Sequence, residues 1–544
     1  MASAARQQKG WFLKTVFTAL GFTSIFLMWL IQPGIEPEQR AFYHWSGNPD
    51  GLFLAIGVDM LGVWLLLTLL LLLARKPGKV RVAIWSGLLL LTPWFVYQNY
   101  RVLLFYEIHN RRYSPPLFFG ALLAEVLLIA YWRPSFSHFF EKVVASATTI
   151  LIFAGIFGAF LLCKLVWYGW QGHLISARTA FHNPQTVVSN QPHHVIWIVF
   201  DELSQQQAYE HRFPGLQLPA FDALAQQSTV FTQATPPDIF TQIVIPGLLA
   251  GKSFDQIRTS STGQLFTHDP RVDKWQAFDQ YDTVFQDAHN AKYTTAVAGW
   301  YNPYCRILPQ VLDQCTWNFR DHKTNGMIGS ESIAYNSLSA LHFFACMALT
   351  VIPNRIHRSP LHCRAFFFDT QPLPLSHARD YQDLNAASRK LLGRPSFDFT
   401  FLHLPIPHPG GIYDRSTGQI TTSPSSTYID NLALTDKCLA GLIAVLEQTG
   451  QWNSSTVVVM GDHSWRTTQL WMPSNLWSLE EQKASLGGNY DPHPVFIVKL
   501  PGQTVGSRID APFHTVDTRK LLDAVMANQI TTPAQLSTWA QTTH

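Results

Sequence analysis

The stretch V-I-W-I-V-F-D-E-L-S, Val195 to Ser204, sets two carboxylates, Asp201 and Glu202, directly behind a run of six apolar residues. An uninterrupted apolar run bounded by polar residues reads as a strand buried on both faces. Alone, the acidic pair is most simply a cap for the turn that follows. Charges at the tip of a buried strand otherwise need a partner, because an unpaired buried charge is costly.

Similar strands recur downstream: TTAVAGW (294–300), FDFTFLHLPI (397–406), TVVVMG (456–461) and PVFIVKL (494–500). Between the third and fourth of these five, 428–449 has helical periodicity and ends near Gly450. Alternation of strand and helix predicts an α/β domain with a mainly parallel central sheet flanked by helices. In such sheets the site forms at the carboxyl ends of the strands. Four chemical features lie there. Asp201 and Glu202 follow one strand, and Asp462 and His463 follow another. His403 and His408 lie at the end of a third, and Thr235 and Thr241 lie in the proline-punctuated segment 234–252.

Each piece alone is an ordinary strand end. Together they have the composition of a metal site. Carboxylate oxygens with an imidazole nitrogen suit Zn²⁺ first, with Mn²⁺ next; Ca²⁺, which favours all-oxygen ligation, is the third choice. Coordination would also activate a threonine hydroxyl, a weak nucleophile by itself.

In this order the residues resemble the alkaline phosphatase/sulfatase superfamily, over about 195–525. T-Q-I-V-I-P-G-L-L-A-G, Thr241 to Gly251, keeps the spacing from nucleophile to last glycine of the sulfatase motif. Thr241 with Pro246 also matches the T-x-x-x-x-P of bacterial phosphoethanolamine transferases, so both frames select Thr241 over Thr235. Asp201-Glu202 matches the first metal-binding strand end, with Glu202 at the transferases' glutamate and slightly preferred as the direct ligand. Gly461-Asp462-His463 matches the second, and Tyr428 to Asp436 matches the helix between. The resemblance implies that Asp201, Glu202, Thr241, Asp462 and His463 surround the metal, with His403 or His408 handling protons.

The departures are specific. The nucleophile position holds neither Cys nor Ser, so the sulfatase formylglycine cannot form there, and the sulfatase arginine is Ile245. Ser464 replaces a glycine. The stretch S-W-R-T-T-Q-L-W-M-P-S-N-L-W after His463 lacks the transferases' next histidine, for which His493 is the substitute the chain offers.

The first third is of another kind. Apolar stretches near 11–31, 52–74, 80–100, 115–132 and 146–170 are long enough to cross a hydrocarbon core, which takes about 20 residues. Arg6, Lys9 and Lys14, then Arg75, Lys76, Lys79 and Arg81, then Arg133 and Lys142 mark one side as cytoplasmic. Five spans place the N-terminus inside and everything beyond about residue 171 outside, in the periplasm or its equivalent. The expected organisation is a five-helix transmembrane bundle (1–170), a polar linker (171–192) and a sulfatase-like catalytic domain (193–544). The segment 335–355 reads as a buried or membrane-surface helix. Asp59 and Glu125 fall within apolar spans, where carboxylates are candidates for meeting a lipid headgroup or for bonding between helices. Of six cysteines, the close pairs Cys305/Cys315 and Cys346/Cys363 suit disulfides in an oxidising compartment.

A formal net charge of +3 over 544 residues gives no footing for nucleic acid. A membrane anchor before an outside sulfatase-like domain also resembles phosphoethanolamine transferases and lipoteichoic acid synthases. That implies transfer of a phospho-headgroup from a membrane phospholipid to an envelope glycan or lipid, through a phospho-threonine. A membrane-bound phosphate or sulfate ester hydrolase and an inactive sulfatase-fold scaffold are the alternatives.

Overall fold

The computed structural model describes residues 2–28, 43, 50–104, 136–179, 193–260, 264–319, 333, 334, 336–338, 341, 373–394, 396–474 and 476–542. The chain divides into two compact units. One comprises Met1–Gln39, Gly47–Ser176 and Gly326–Asp369; the other comprises Arg40–Ser46, Ala177–Asn325 and Thr370–His544.

In the first unit, three helical stretches are long and apolar enough to cross a membrane: Phe53–Leu73, Lys79–Val96 and His138–Trp170. Their outward surfaces carry exposed Leu65, Leu69, Leu73, Ile150 and Phe153, the reverse of a helix that faces water. The helix Ala2–Phe26 has only a shorter apolar stretch, Gly10–Phe26. The expected span at 115–132, with Glu125, lies outside the described residues, as do Cys346, Cys363 and most of 335–355. The expected five-helix bundle is thus represented by three qualifying helices among the described residues. Asp59 is buried, and its Oδ1 accepts from the Ser337 hydroxyl. The helix Phe136–Thr179 runs through the first part of the expected 171–192 linker, whose first nine residues contain no proline to stop it.

The second unit is built on an eight-stranded sheet. Thirteen strands occur among the described residues: β1 (Val195–Phe200), β2 (Thr229–Thr235), β3 (Gln256–Thr259), β4 (Leu265–Asp269), β5 (Lys274–Ala277), β6 (Thr295–Trp300), β7 (Gln314–Asn318), β8 (Phe399–Leu404), β9 (Tyr413–Asp414), β10 (Gln419–Ile420), β11 (Thr456–Gly461), β12 (Phe496–Lys499) and β13 (Ser507–His514). The main sheet has the order β13-β2-β12-β11-β1-β8-β6-β7. β1 pairs in parallel with β11 and with β8, so it is central. β12 runs antiparallel to both its neighbours, and it is the one such strand in this sheet. The expectation of a mainly parallel sheet holds with that exception.

Every β1 residue is buried, as a six-residue apolar run requires. Val195, Trp197 and Val199 join one core with Ile243, Val244 and Leu248 of the helix Thr241–Ala250. Ile196, Ile198 and Phe200 join the other with Leu432, Leu439 and Leu442 of the helix Tyr428–Gln448. That helix opens on a capping box, with the Thr427 side chain accepting from the Asp430 amide. Helices on both faces leave the carboxyl edge of the sheet as the open end. There the parallel strands β1, β11, β8 and β6 release their chains.

Candidate functional site

Asp201 leaves β1 at this edge, and Asp462 leaves the adjacent β11 beside it. Register puts Phe200 opposite Gly461, so the next residues of both strands are neighbours. Asp462 Oδ1 accepts from the backbone N–H of Glu202 (3.0 Å) and of His463 (2.8 Å). Those two bonds turn its second oxygen, Oδ2, into the pocket. Glu202 adopts φ 65, and Tyr301 at the tip of β6 does the same. Left-handed backbone at non-glycine residues costs about 1–3 kcal/mol and persists where surrounding contacts over-determine it.

The chain beyond β2 turns into the helix Thr241–Ala250, with Thr241 in its first turn. The Thr241 hydroxyl donates to Asp201 Oδ2 at 3.2 Å and lies 3.1 Å from His463 Nε2. His463 Nδ1 donates to the Ser464 carbonyl at 3.0 Å, so Nε2 presents its lone pair. Burial, and then the Arg466 charge, lower the His463 pKa to about 3 and keep the ring neutral. Desolvation, followed by the neighbouring Asp462 charge, pushes the Asp201 carboxyl well above the usual range.

His403 is fully buried on β8. Its Nδ1 meets the Tyr304 hydroxyl at 2.7 Å, and its Nε2 lies 3.9 Å from Asp201 Oδ2. Burial lowers its pKa to about 4. Asp201 Oδ1, Asp462 Oδ2 and His403 Nε2 are all buried without a hydrogen-bond partner. Ligand atoms of these three residues lie within 4.8 Å of one another. The orphaned oxygens of the two carboxylates, with the His463 Nε2 lone pair 3.2 Å from Asp462 Oδ2, are what a divalent cation satisfies, so the residues present fit one.

The remaining expected site residues fall as follows. Glu202 faces Arg466 and Trp471: its carboxylate accepts from the Arg466 Nε (2.8 Å), Nη2 and backbone N–H and from Trp471 Nε1. His408 Nε2 stands 3.8 Å from Glu202 Oε1, and Asp201, Glu202 and His408 form a second group with metal-ligand spacing. His493 is paired with Asp491 at 2.7 Å, on the loop that leads into β12. Thr235 contacts His514 at 3.0 Å rather than the carboxylates. Asp436 accepts from the Phe221 amide and so caps the helix Pro219–Gln226, and Tyr428 donates to the Glu202 carbonyl.

Three groups in this site escape sequence reading. Arg466 and Trp471 lie in the stretch noted only for its missing histidine. Tyr304, four residues beyond β6, orients His403. Cys305, next to it, is disulfide-bonded to Cys315, the first of the two expected pairs.

No protein-family model matches the chain, and no curated relative does. Among solved structures it is similar to Ps i-CgsB in complex with k-i-k-neocarrahexaose (16% identity, TM-score 0.38, covering 64% of this chain and 74% of that one). It is similar to the phosphonate monoester hydrolase of Agrobacterium radiobacter (14%, TM-score 0.37, 62% and 74%). It is also similar to the lipoteichoic acid synthase LtaP of Listeria monocytogenes (13%, TM-score 0.34, 64% and 76%). These neighbours are members of the alkaline phosphatase/sulfatase superfamily.

Proposed function

We propose that the second unit is a metal-dependent phosphotransferase with Thr241 as its nucleophile. It takes a phospho-headgroup, such as phosphoethanolamine or phosphoglycerol, from a membrane phospholipid and passes it to an envelope glycan or lipid. One observation carries the reading. A single hydroxyl in the first turn of a helix lies within hydrogen-bond distance of Asp201 and His463, beside unsatisfied Asp462 and His403 atoms. The helix start also favours the negative charge of a phosphodiester.

Asp201, Asp462, His463 and Thr241 would hold the ion, with Zn²⁺ the best match to this donor set and Mn²⁺ next. When bound, the ion supplies a lowered pKa for the Thr241 hydroxyl and charge neutralisation for the non-bridging phosphoryl oxygens. The rest falls to side chains. Thr241 Oγ1 bonds to phosphorus as the bond from phosphorus to the lipid alcohol breaks. The hydroxyl proton leaves toward Asp201 Oδ2. Neutral His403, 3.9 Å from that oxygen, is placed to take it and return it to the departing alkoxide, and His408 is the second group of this kind. An acceptor hydroxyl then attacks the phospho-threonine in the reverse sense. Its proton passes back to Thr241, so protons balance over the cycle.

The apolar helices would anchor the chain in the membrane that supplies its lipid donor. Loop charges favour an extracytoplasmic catalytic domain. The reading is tested with full-length protein, a soluble aryl phosphodiester and a phospholipid, each with and without an acceptor alcohol. A transferase moves the headgroup to the alcohol and depends on added Zn²⁺ or Mn²⁺. Release of the headgroup to water alone, unaffected by acceptor, would mark a hydrolase instead.

A further inference from the structure

The pocket edge holds two groups of residues with metal-ligand spacing, and they differ in whether their lone pairs are free. In the first, Asp201 Oδ1, Asp462 Oδ2 and His403 Nε2 have no partner. In the second, made of Asp201, Glu202 and His408, Glu202 is already saturated. Its Oε1 accepts from Arg466 Nε at 2.8 Å, Arg466 Nη2 and Trp471 Nε1 at 2.9 Å. Its Oε2 accepts from the Arg466 backbone N–H at 3.1 Å and from Trp471 Nε1 at 2.9 Å. A carboxylate offers about four lone-pair sites, and here four N–H donors use them, that of Trp471 shared between both oxygens. His408 gives its Nδ1–H to the Pro409 carbonyl at 2.6 Å, leaving Nε2 toward a position beside the guanidinium. A divalent ion there would meet a fixed positive charge and no free oxygen on Glu202, and it would have to share Asp201 with the first group.

We propose that Arg466 is a built-in cation standing where a second metal would bind, so that the centre takes one divalent ion per chain and Glu202 is not its ligand. This rests on the metal-dependent reading above. Charge balance supports it. Asp201, Glu202 and Asp462 are all buried and bring three negative charges; Arg466, also buried, returns one, and a single divalent ion returns the other two. A second divalent ion would leave two uncompensated positive charges among these buried side chains, which is unfavourable.

Arg466 also links the three chain segments that make the pocket. Its side chain bonds Glu202 at the tip of β1, its own loop follows β11, and Nη1 donates to the Ile239 carbonyl at 3.3 Å, two residues before Thr241. It is a positioning residue as well as a charge.

The test is metal stoichiometry. Full-length protein in detergent is stripped with chelator and titrated with Zn²⁺ or Mn²⁺ alone, by calorimetry and elemental analysis. The wild type should bind one ion per chain. Glu202→Gln and His408→Ala should still bind one, weakened by no more than the ~10–100-fold typical of groups outside the ligand set, whereas Asp462→Asn should bind none. Arg466→Met should free Glu202 and gain a second ion, which Arg466→Met/His408→Ala should lose. Two ions in the wild type, with one lost in His408→Ala, would overturn the proposal. So would loss of the single ion in Glu202→Gln. No ion in the wild type would instead refute the metal-dependent reading itself. If Arg466→Met does not fold, the Glu202 and His408 variants still decide the matter.

Discussion

Thr241 and Asp201, forty residues apart in the chain, share a hydrogen bond of 3.2 Å at the open edge of the sheet. The bond joins the first turn of one helix to the tip of the central strand. It places the one hydroxyl proposed to react against a carboxylate that burial and Asp462 make unusually ready to hold a proton. Several measurable consequences follow from how this pair is held.

Metal loading and pH should act on stability in opposite directions. Asp201 and Asp462 both have raised pKa values in the folded chain, chiefly through burial. A carboxyl whose folded pKa lies above its unfolded value binds more protons folded than unfolded, so stripped protein gains stability as pH falls toward the unfolded values. Ion-loaded protein loses stability over the same range as protons compete with the ion. The difference in Tm between loaded and stripped protein should be largest near pH 8, corresponding to about 4 kcal/mol at ~1,000-fold excess over Kd, and should shrink toward pH 5. Parallel scans across that range check it.

Tyr304→Phe should slow turnover without removing the ion. The Tyr304 hydroxyl is the hydrogen-bond partner of His403 Nδ1 at 2.7 Å and so sets the direction of Nε2. Its loss should lower kcat by roughly 10-fold, part of the ~10²–10⁴ that a positioned acid–base group contributes. KM for a soluble aryl phosphodiester and metal stoichiometry should change little. Steady-state kinetics and metal titration read the two separately.

Gly299→Ala should disrupt the same support. A Cβ at Gly299 would meet Tyr304 Cε2 at 2.2 Å and Cδ2 at 2.3 Å, so the ring that holds His403 has to move. Overpacking of this kind costs about 1–3 kcal/mol. Chemical denaturation should show that loss, accompanied by the kinetic defect of Tyr304→Phe.

Asp523 supplies a pH effect remote from the pocket. Burial, then the Asp287 charge, raise its pKa from 3.8 to about 7. The folded state therefore holds a proton that the unfolded state has lost. The penalty appears as pH rises above 3.8 and is complete above about 7. Asp523→Asn should stabilise the protein by about 1–2 kcal/mol at pH 8, discounted for its partly exposed side chain, and by little at pH 4. Denaturant midpoints at the two values test this.

Much of this arrangement is legible in the chain. Asp201, Thr241, Asp462 and His463 converge because each follows or opens an element that the apolar pattern marks, and the carboxyl edge of a parallel sheet gathers such ends. What escaped has physical reasons. β12 runs antiparallel, but a strand buried on both faces shows the same apolar run in either direction. Arg466 meets Glu202 across 264 positions, from a loop with no periodicity. Motif matching favours Glu202 as the direct ligand; it carries no information on side-chain contacts, which turn Asp201 toward Thr241 and Glu202 toward Arg466. The helix Phe136–Thr179 overruns its apolar stretch because polarity ends a membrane span but does not end a helix.

The most direct measurement is mass spectrometry of the full-length, metal-loaded protein quenched during incubation with phospholipid and no acceptor. The account predicts one phospho-headgroup adduct on the peptide containing Thr241, absent in Thr241→Ala and discharged when an acceptor alcohol is added. An adduct on any other residue, or headgroup release that proceeds unchanged in Thr241→Ala, would contradict it.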